Sequence, residues 1–224
     1  MVLRRVLEPE VMDNADDARD YDRMDHAAVN RQFVDDLLAT ITAAGLEPAD
    51  SEVLDLGTGT AQIPIELLRR RPFWRVCGVD LAASMIELAR ENAAAAALNH
   101  RLRLEQADAK RLCYADQAFG VVMSNSIVHH IPQPRDVLAE ACRVLRPGGV
   151  LFVRDLLRPT GDAEVLRLVE TYAAGANDHQ RQLFEDSLRA ALSLDEVQSI
   201  VAGLGHNPRW VTQTSDRHWT WASP

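Results

Sequence analysis

Asp55 lies at the end of the apolar run Val53 to Leu56, just before the turn Gly57-Thr58-Gly59-Thr60. A helical pattern from Ala61 to Arg70 follows at once. A strand, a glycine turn and a helix in that order bring a ligand against bare backbone N–H groups at a helix N-terminus. The Asp55 carboxylate would repel a phosphate and attract an ammonium, so the expected ligand presents a positive amino group. About 20 residues beyond the turn, Asp80 stands where an acid can accept both hydroxyls of a ribose. Asp108, with Ala109 beside it, can accept from an exocyclic amine. Asn125-Ser126 and then His129-His130 follow a fourth apolar run, and Arg154-Asp155 a fifth. Acids at successive strand ends ask for a partner, because a buried carboxylate is costly without one. The dinucleotide fingerprint needs a third glycine near Gln62 and lacks it, and the glycine–lysine signature of a nucleoside triphosphate loop is absent.

Positioning these groups requires a regular scaffold, and the apolar pattern supplies one. Tyr21 to Ala44 shows helical spacing through Met24, Ala27, Ala28, Phe33, Leu37, Leu38 and Ile41, and Gly45 stops it. Strands are predicted at Val53–Leu56, Trp74–Val79, Leu102–Gln106, Gly120–Ser124 and Val150–Arg154. Helices are predicted at Ala61–Arg70, Ala83–Ala97 and Pro134–Leu145, the last closed by Pro147-Gly148-Gly149. Continuous apolar strands alternating with amphipathic helices imply a parallel sheet covered on both faces, with the ligand crevice at the carboxyl ends of the strands. Beyond it, Asp162 to Ala190 reads as two helices with a polar joint at Ala176 to Gln180. Ser193 to Glu196 resembles a capping box. Trp210–Gln213 and His218–Trp221 can pair as final strands, with Trp219 and Trp221 on one face.

A chain of 224 residues suits one domain. The net charge of −9 argues against sequence-independent binding to nucleic acid. Three cysteines without a CxxC spacing read as buried free thiols in a reducing compartment. No apolar run approaches the ~20 residues of a membrane span, and no signal-peptide core follows Met1, so the expected location is the cytoplasm. None of the seven histidines shows a close ligand pattern such as HExxH, so no metal site is expected.

The stretches Val53-Leu-Asp-Leu-Gly-Thr-Gly-Thr60, Gly78-Val-Asp-Leu81, Gln106-Ala-Asp-Ala109, Phe119 to Ser126 and Arg143 to Gly149 resemble, in order, the motifs of class I S-adenosylmethionine-dependent methyltransferases. The resemblance covers about Glu52 to Asp155. It implies a single α/β domain over residues 1–224: a doubly wound, mostly parallel, Rossmann-like sheet of seven strands, with an N-terminal lid helix and a helical insertion after strand five. Residues 1–45 would form the lid, 50–155 the cofactor-binding core, and 156–224 the substrate-side helices and last strands. It also implies that Asp55, Gly57, Thr58, Gly59 and Thr60 hold the methionine end of S-adenosylmethionine. Asp80 would bind the ribose, Leu81 and Met85 would line the adenine, and Asp108 would take the adenine amine with Ala109 nearby. Asn125 and Ser126 would lie beside the sulfonium, and Tyr21, Met24 and Asn30 would belong to the lid.

The acceptor is less legible. Nucleic-acid amino methyltransferases commonly carry an (Asp/Asn)-Pro-Pro-aromatic motif after strand four, where this chain has Asn125-Ser-Ile-Val128. That departure and the acidic charge favour a small-molecule substrate over RNA; the missing third glycine speaks against an oxidoreductase, and a non-catalytic nucleotide-binding module on the same fold stays as a further alternative. A base is needed only if the acceptor must lose a proton during attack. His130 is the favoured base, since adjacent residues on a helix diverge and only one of His129 and His130 should face a site. Asp155 is the companion candidate. The oligomeric state is open.

Overall fold

The computed structural model describes residues 3–8, 18, 19, 22, 26–45 and 52–223. Seven strands hydrogen-bond in one sheet: β1 (Glu52–Leu56), β2 (Arg75–Asp80), β3 (Leu102–Gln106), β4 (Phe119–Asn125), β5 (Leu145–Leu156), β6 (Val211–Gln213) and β7 (His218–Ser223). Their spatial order is β3-β2-β1-β4-β5-β7-β6. β1 pairs in parallel with β2 and with β4, and β2 with β3; β6 and β7 are antiparallel. The strand order therefore reverses between β1 and β4, the place where an open α/β sheet leaves a crevice at its carboxyl edge.

Helices with described bounds are α1 (Ala27–Ala43), α2 (Gln62–Arg70), α3 (Ala83–Ala95), α4 (Pro134–Val144), α5 (Asp162–Tyr172), α6 (Asp178–Ala190) and α7 (Leu194–Gly203). One-turn 3-10 helices occupy Val128–His130 and Pro208–Trp210. The predicted elements are all present, with shifts at their ends. The largest shift is in β5, which starts at Leu145 rather than Val150. The strand runs through Pro147-Gly148-Gly149 although Gly148 has a φ of 74°, a left-handed conformation that glycine tolerates, and Gly149 lies so close to the Gly120 carbonyl that a Cβ there would sit 2.7 Å from it. Residues Tyr21 and Met24, expected on the first helix, lie outside the described residues.

Contacts divide the chain into two compact units. One comprises residues 11–125, 136–153 and 222–224. Its core joins Val53, Leu68, Val76, Val121 and Phe152 to Phe33, Val34, Leu37 and Ile41, the apolar stripe of α1. Phe33 meets Phe152 edge to face at 5.1 Å. The other unit comprises residues 1–10, 126–135 and 154–221. Leu156, Val165, Leu168, Leu188 and Ala191 form a core there, with Leu3 packed against it. The polar joint before α6 is a capping box: Asn177 Oδ1 accepts from the Gln180 N–H at 2.9 Å, and Gln180 Oε1 accepts from the Asn177 N–H at 3.1 Å. Ser193 and Glu196 cap α7 in the same way. Trp219 and Trp221 are wholly buried. Cys77 is buried, but Cys113 is exposed, against the expectation of three buried thiols.

Candidate active site

The turn after β1 is built on the end of β2. The N–H groups of Gly57 and Thr58 both donate to the Val79 carbonyl, at 2.8 and 2.9 Å. Gly59 N–H donates to Asp80 Oδ2 at 2.9 Å, and Ala61 N–H to the Thr58 carbonyl at 2.9 Å. The expectation of bare N–H groups is therefore corrected. Most of the turn's donors are satisfied internally, which fixes its shape and leaves ligand recognition to side chains. Gly57 and Gly59 adopt φ values of 69° and 53°, and Ala61, one residue before the place of the missing third glycine, takes φ 64°. An alanine in that region costs about 1 kcal/mol, which the surrounding hydrogen bonds offset.

Gly78 forms the floor of the turn. A Cβ on it would lie 2.6 Å from Thr58 Oγ1 and 2.9 Å from Thr58 Cβ. Asp80 is held at both oxygens, by Gly59 N–H on Oδ2 and by Ala82 N–H on Oδ1 at 2.9 Å. Asp55 is 3% exposed. Burial pushes its carboxyl up to about 7; the nearby Thr58 hydroxyl draws it back and the charge of Asp80 pushes it further up. Among the described residues, no cation belongs to the groups that act on Asp55. The buried Thr58 hydroxyl lies near Asp55 yet completes no well-formed hydrogen bond among the described residues. A carboxylate and a hydroxyl in that state fit an incoming ammonium, which would neutralise the first and satisfy the second.

Asn30, His26, Gln62 and Asn125 line the same cleft as Asp55 and the turn. Sequence reading missed Gln62 and Asn92, although together they knit this region. Gln62 Oε1 accepts from Asn30 Nδ2 at 3.3 Å, while Gln62 Nε2 donates to Asp22 Oδ1 at 3.1 Å. Asn92 Nδ2 donates to the same Asp22 oxygen at 2.9 Å and to the Thr60 carbonyl at 3.0 Å. Amides carry no motif of their own, so only their convergence in space reveals them. Met85 is buried against Ala82 and Ala18, whereas Leu81 is 36% exposed. Asp108 Oδ1 accepts from the backbone N–H and the ammonium of Lys110, both at 2.9 Å. Ala109 is half-buried beside it.

The residues after β4 make a second cluster, in the other unit. Ser126 has φ 59° and donates its N–H to the Arg154 carbonyl at 2.9 Å. This sharp turn starts the 3-10 helix that carries His129 and His130. His129 is buried, and its Nδ1 lies 2.5 Å from Asp155 Oδ1. Asp155 also accepts from the N–H groups of Val128 and Leu156, each at 2.6 Å. Burial alone would raise the Asp155 carboxyl, but the His129 charge and these three hydrogen bonds hold it below its ordinary value. A carboxylate only accepts, so Nδ1 of His129 carries the proton shared with it. Burial lowers the His129 imidazole, and the charges of Asp155 and Glu8 more than reverse that, against a smaller opposing push from Arg5.

His129 and His130 do not diverge as expected. Their rings lie 4.1 Å apart, and both turn towards Glu8, a residue sequence reading passed over. Glu8 Oε1 is 3.5 Å from His129 Nε2 and 3.0 Å from His130 Nδ1. Arg5 brings Glu8 there by donating to the carbonyls of His129 and Ile131 at 3.0 Å and of Ala190 at 2.7 Å. Nothing in the spacing of the sequence connects Arg5 and Glu8 to the histidines.

Residues 54–153 match the family model described as a methyltransferase domain. Over 191 residues the chain is 32% identical to 27-O-demethylrifamycin SV methyltransferase of Amycolatopsis mediterranei, covering 80% of this chain and 64% of that one. It is 34% identical to malonyl-[acyl-carrier protein] O-methyltransferase of Geobacter sulfurreducens, covering 82% of this chain and 67% of that one. The chain thus spans about two thirds of the length of these two relatives. A solved S-adenosylmethionine-dependent methyltransferase from Aquifex aeolicus shares the fold, with a TM-score of 0.64 at 16% identity over 93% of this chain and 97% of that one. The strand order, the acid-flanked glycine turn and these relatives agree: the chain belongs to the class I S-adenosylmethionine-dependent methyltransferases.

Proposed function

We propose that this protein transfers a methyl group to a hydroxyl oxygen of a small molecule, with His129 as the base. The observation that carries this reading is the buried His129–Asp155 pair. A thiolate or a neutral amine can attack a methyl carbon without a base, whereas a hydroxyl gains most from one. S-adenosylmethionine, when bound, supplies a methyl group already activated on a sulfonium. The protein's share is to hold, align and deprotonate. Asp55 and Thr58 would bind the amino group of the cofactor, Asp80 its ribose hydroxyls, and Asp108 its adenine amine. Asn125 and Ser126 would lie by the sulfonium. Of the first 45 residues, Tyr21, Met24 and Asn30 would belong to a lid over the cofactor, with the later part of α1 anchored in the core through Phe33, Leu37 and Ile41.

Asp155 would fix the tautomer of His129, leaving Nε2, which faces Glu8 Oε1 at 3.5 Å, unprotonated and able to take the acceptor's proton. Asp155 is thus a positioning residue, and the sequence-based preference for His130 gives way to His129 in this reading. Both relatives named above are described as acting at oxygen, one of them on 27-O-demethylrifamycin SV. No helix among the described residues is long and apolar enough to cross a membrane, and the cysteines are free, which supports a cytoplasmic enzyme. The test is incubation with labelled methyl donor and a panel of hydroxylated, aminated and thiol-bearing small molecules. Label on a hydroxyl, lost in His129→Asn, is the expected result. Transfer to nitrogen or sulfur at an undiminished rate in His129→Asn would overturn the assignment.

A further inference from the structure

We propose that Glu8, His129 and His130 form a binding site for a divalent transition metal of the zinc class. Three atoms converge: Glu8 Oε1, His129 Nε2 and His130 Nδ1, all within 4.8 Å of one another. The carboxylate oxygen stands 3.5 Å from the first nitrogen and 3.0 Å from the second. Tetrahedral zinc with ligands at about 2.0–2.1 Å separates neighbouring ligand atoms by roughly 3.4 Å. The two carboxylate-to-nitrogen spacings bracket that edge, and the two nitrogens lie within 4.8 Å of each other, so closing on a cation requires movement of side chains only.

Two further observations favour a cation. The Glu8 side chain is only 10% exposed, and its buried Oε1, although 3.0 Å from His130 Nδ1, completes no well-formed hydrogen bond among the described residues. Its other oxygen accepts from the Ser187 hydroxyl at 3.2 Å, which orients the carboxylate for one-oxygen ligation. His129 also has the outer partner that metal-binding histidines usually have: Asp155 holds Nδ1, fixes the ring and leaves Nε2 as the ligating atom. Two imidazoles and one carboxylate, with a fourth position left for water or a ligand oxygen, suit zinc. Arg5 adds a positive charge nearby, but its guanidinium is engaged by carbonyl oxygens. Pattern reading of the sequence missed the site because its carboxylate comes from a distant stretch. The site shares His129 with the proposed base, and one lone pair cannot both bind metal and take a proton, so metal loading and base catalysis would be alternative states.

The test is titration of the metal-stripped full chain with Zn²⁺ by calorimetry and with Co²⁺ by visible absorption. One equivalent should bind, with the intense visible bands of four- or five-coordinate cobalt, and Zn²⁺ should raise the melting temperature. Glu8→Gln, a nearly isosteric change, and His130→Ala should each weaken binding at least tenfold and abolish the thermal shift. Asp155→Asn should weaken it by about 10–100-fold. A pale six-coordinate cobalt spectrum, or unchanged binding in folded Glu8→Gln and His130→Ala variants, would overturn the proposal. The readouts do not involve methyl transfer, so failure of the hydroxyl-acceptor reading would leave them unaffected.

Discussion

Replacing Asp155 by asparagine keeps the shape of the side chain and removes one acceptor and one charge. In the native protein Oδ1 serves His129 Nδ1 and the Leu156 N–H, while Oδ2 serves the Val128 N–H. The amide of asparagine has one oxygen. If that oxygen faces His129 and Leu156, its NH2 confronts the Val128 N–H and leaves a buried donor unsatisfied. If it faces Val128, its NH2 confronts His129 and forces the proton from Nδ1 to Nε2, the atom required to be free. An unpaired buried donor costs about 1–3 kcal/mol, and breaking a buried ion pair raises that to about 3–5 kcal/mol. The expected stability loss in urea unfolding is about 3 kcal/mol. The expected loss in kcat is about 10²–10⁴-fold, the usual worth of a general base.

The pH profile separates orientation from mere structural support. Because Asp155 lies below its ordinary value of 3.8 and His129 above its ordinary 6.5, the pair stabilises the fold fully between those two values. That contribution is lost as pH falls through the folded value of Asp155 or rises through that of His129. A neutral His129 is required for proton removal, so wild-type activity should rise with pH through the raised value of His129. In Asp155→Asn that acidic limb should move to lower pH, because the upward push of the carboxylate is gone. A folded variant with an unmoved limb and kcat within about threefold of wild type would refute the assignment of Asp155 as orienter of the base.

Two further outcomes test the cofactor half. Gly78→Ala must displace Thr58, whose Oγ1 and Cβ lie 2.6 and 2.9 Å from the added carbon. It should cost about 1–3 kcal/mol of stability and weaken S-adenosylhomocysteine binding by about tenfold or more; calorimetry with an unchanged Kd would show that the turn does not depend on that floor. Asp55, raised to about 7, is protonated in the folded state over a range where the unfolded chain is ionised, so its contribution to stability falls as pH rises from 3.8 through about 7. An ammonium ligand reverses that preference: S-adenosylhomocysteine should bind more tightly as pH rises through about 7 and should release a proton just below it. Calorimetry in buffers of different ionisation heat reads that proton directly, and no buffer dependence would count against Asp55 as the ammonium's partner.

The cluster around the glycine turn is legible in the sequence because its chemistry is bound to local pattern. Asp55 and Asp80 each sit at a strand end set by the apolar period, and each is followed by a turn whose glycines or caps have a recognisable type. Even there the sequence leaves the turn's N–H groups looking free, since the bonds to Val79 and Asp80 cross from one strand end to the next. Gln62 and Asn92 were invisible because amides are common on helices and acquire meaning only through a shared partner, Asp22. The pairing of His129 with Asp155 and of both histidines with Glu8 depends on the turn at Ser126 and on the path of residues 3–8, neither of which has a period to read. The rule that helical neighbours diverge failed for the histidines because they sit on a single 3-10 turn with one carboxylate in reach of both.

The path of residues 3–8 has a consequence for how the protein is made. The Val6 N–H reaches the Arg189 carbonyl at 3.0 Å, and the Arg5 guanidinium reaches the Ala190 carbonyl across 185 positions of chain. What leaves the ribosome early in this sequence must wait for nearly everything else before it can dock. Contacts this distant in sequence form late, because the loop they close is paid for before they are rewarded. The docking of residues 3–8 thus depends on chain made much later, around Ser187 to Ala190, and a tag or fusion placed ahead of Arg5 bears on the acid of this cluster more directly than one placed after Ser223.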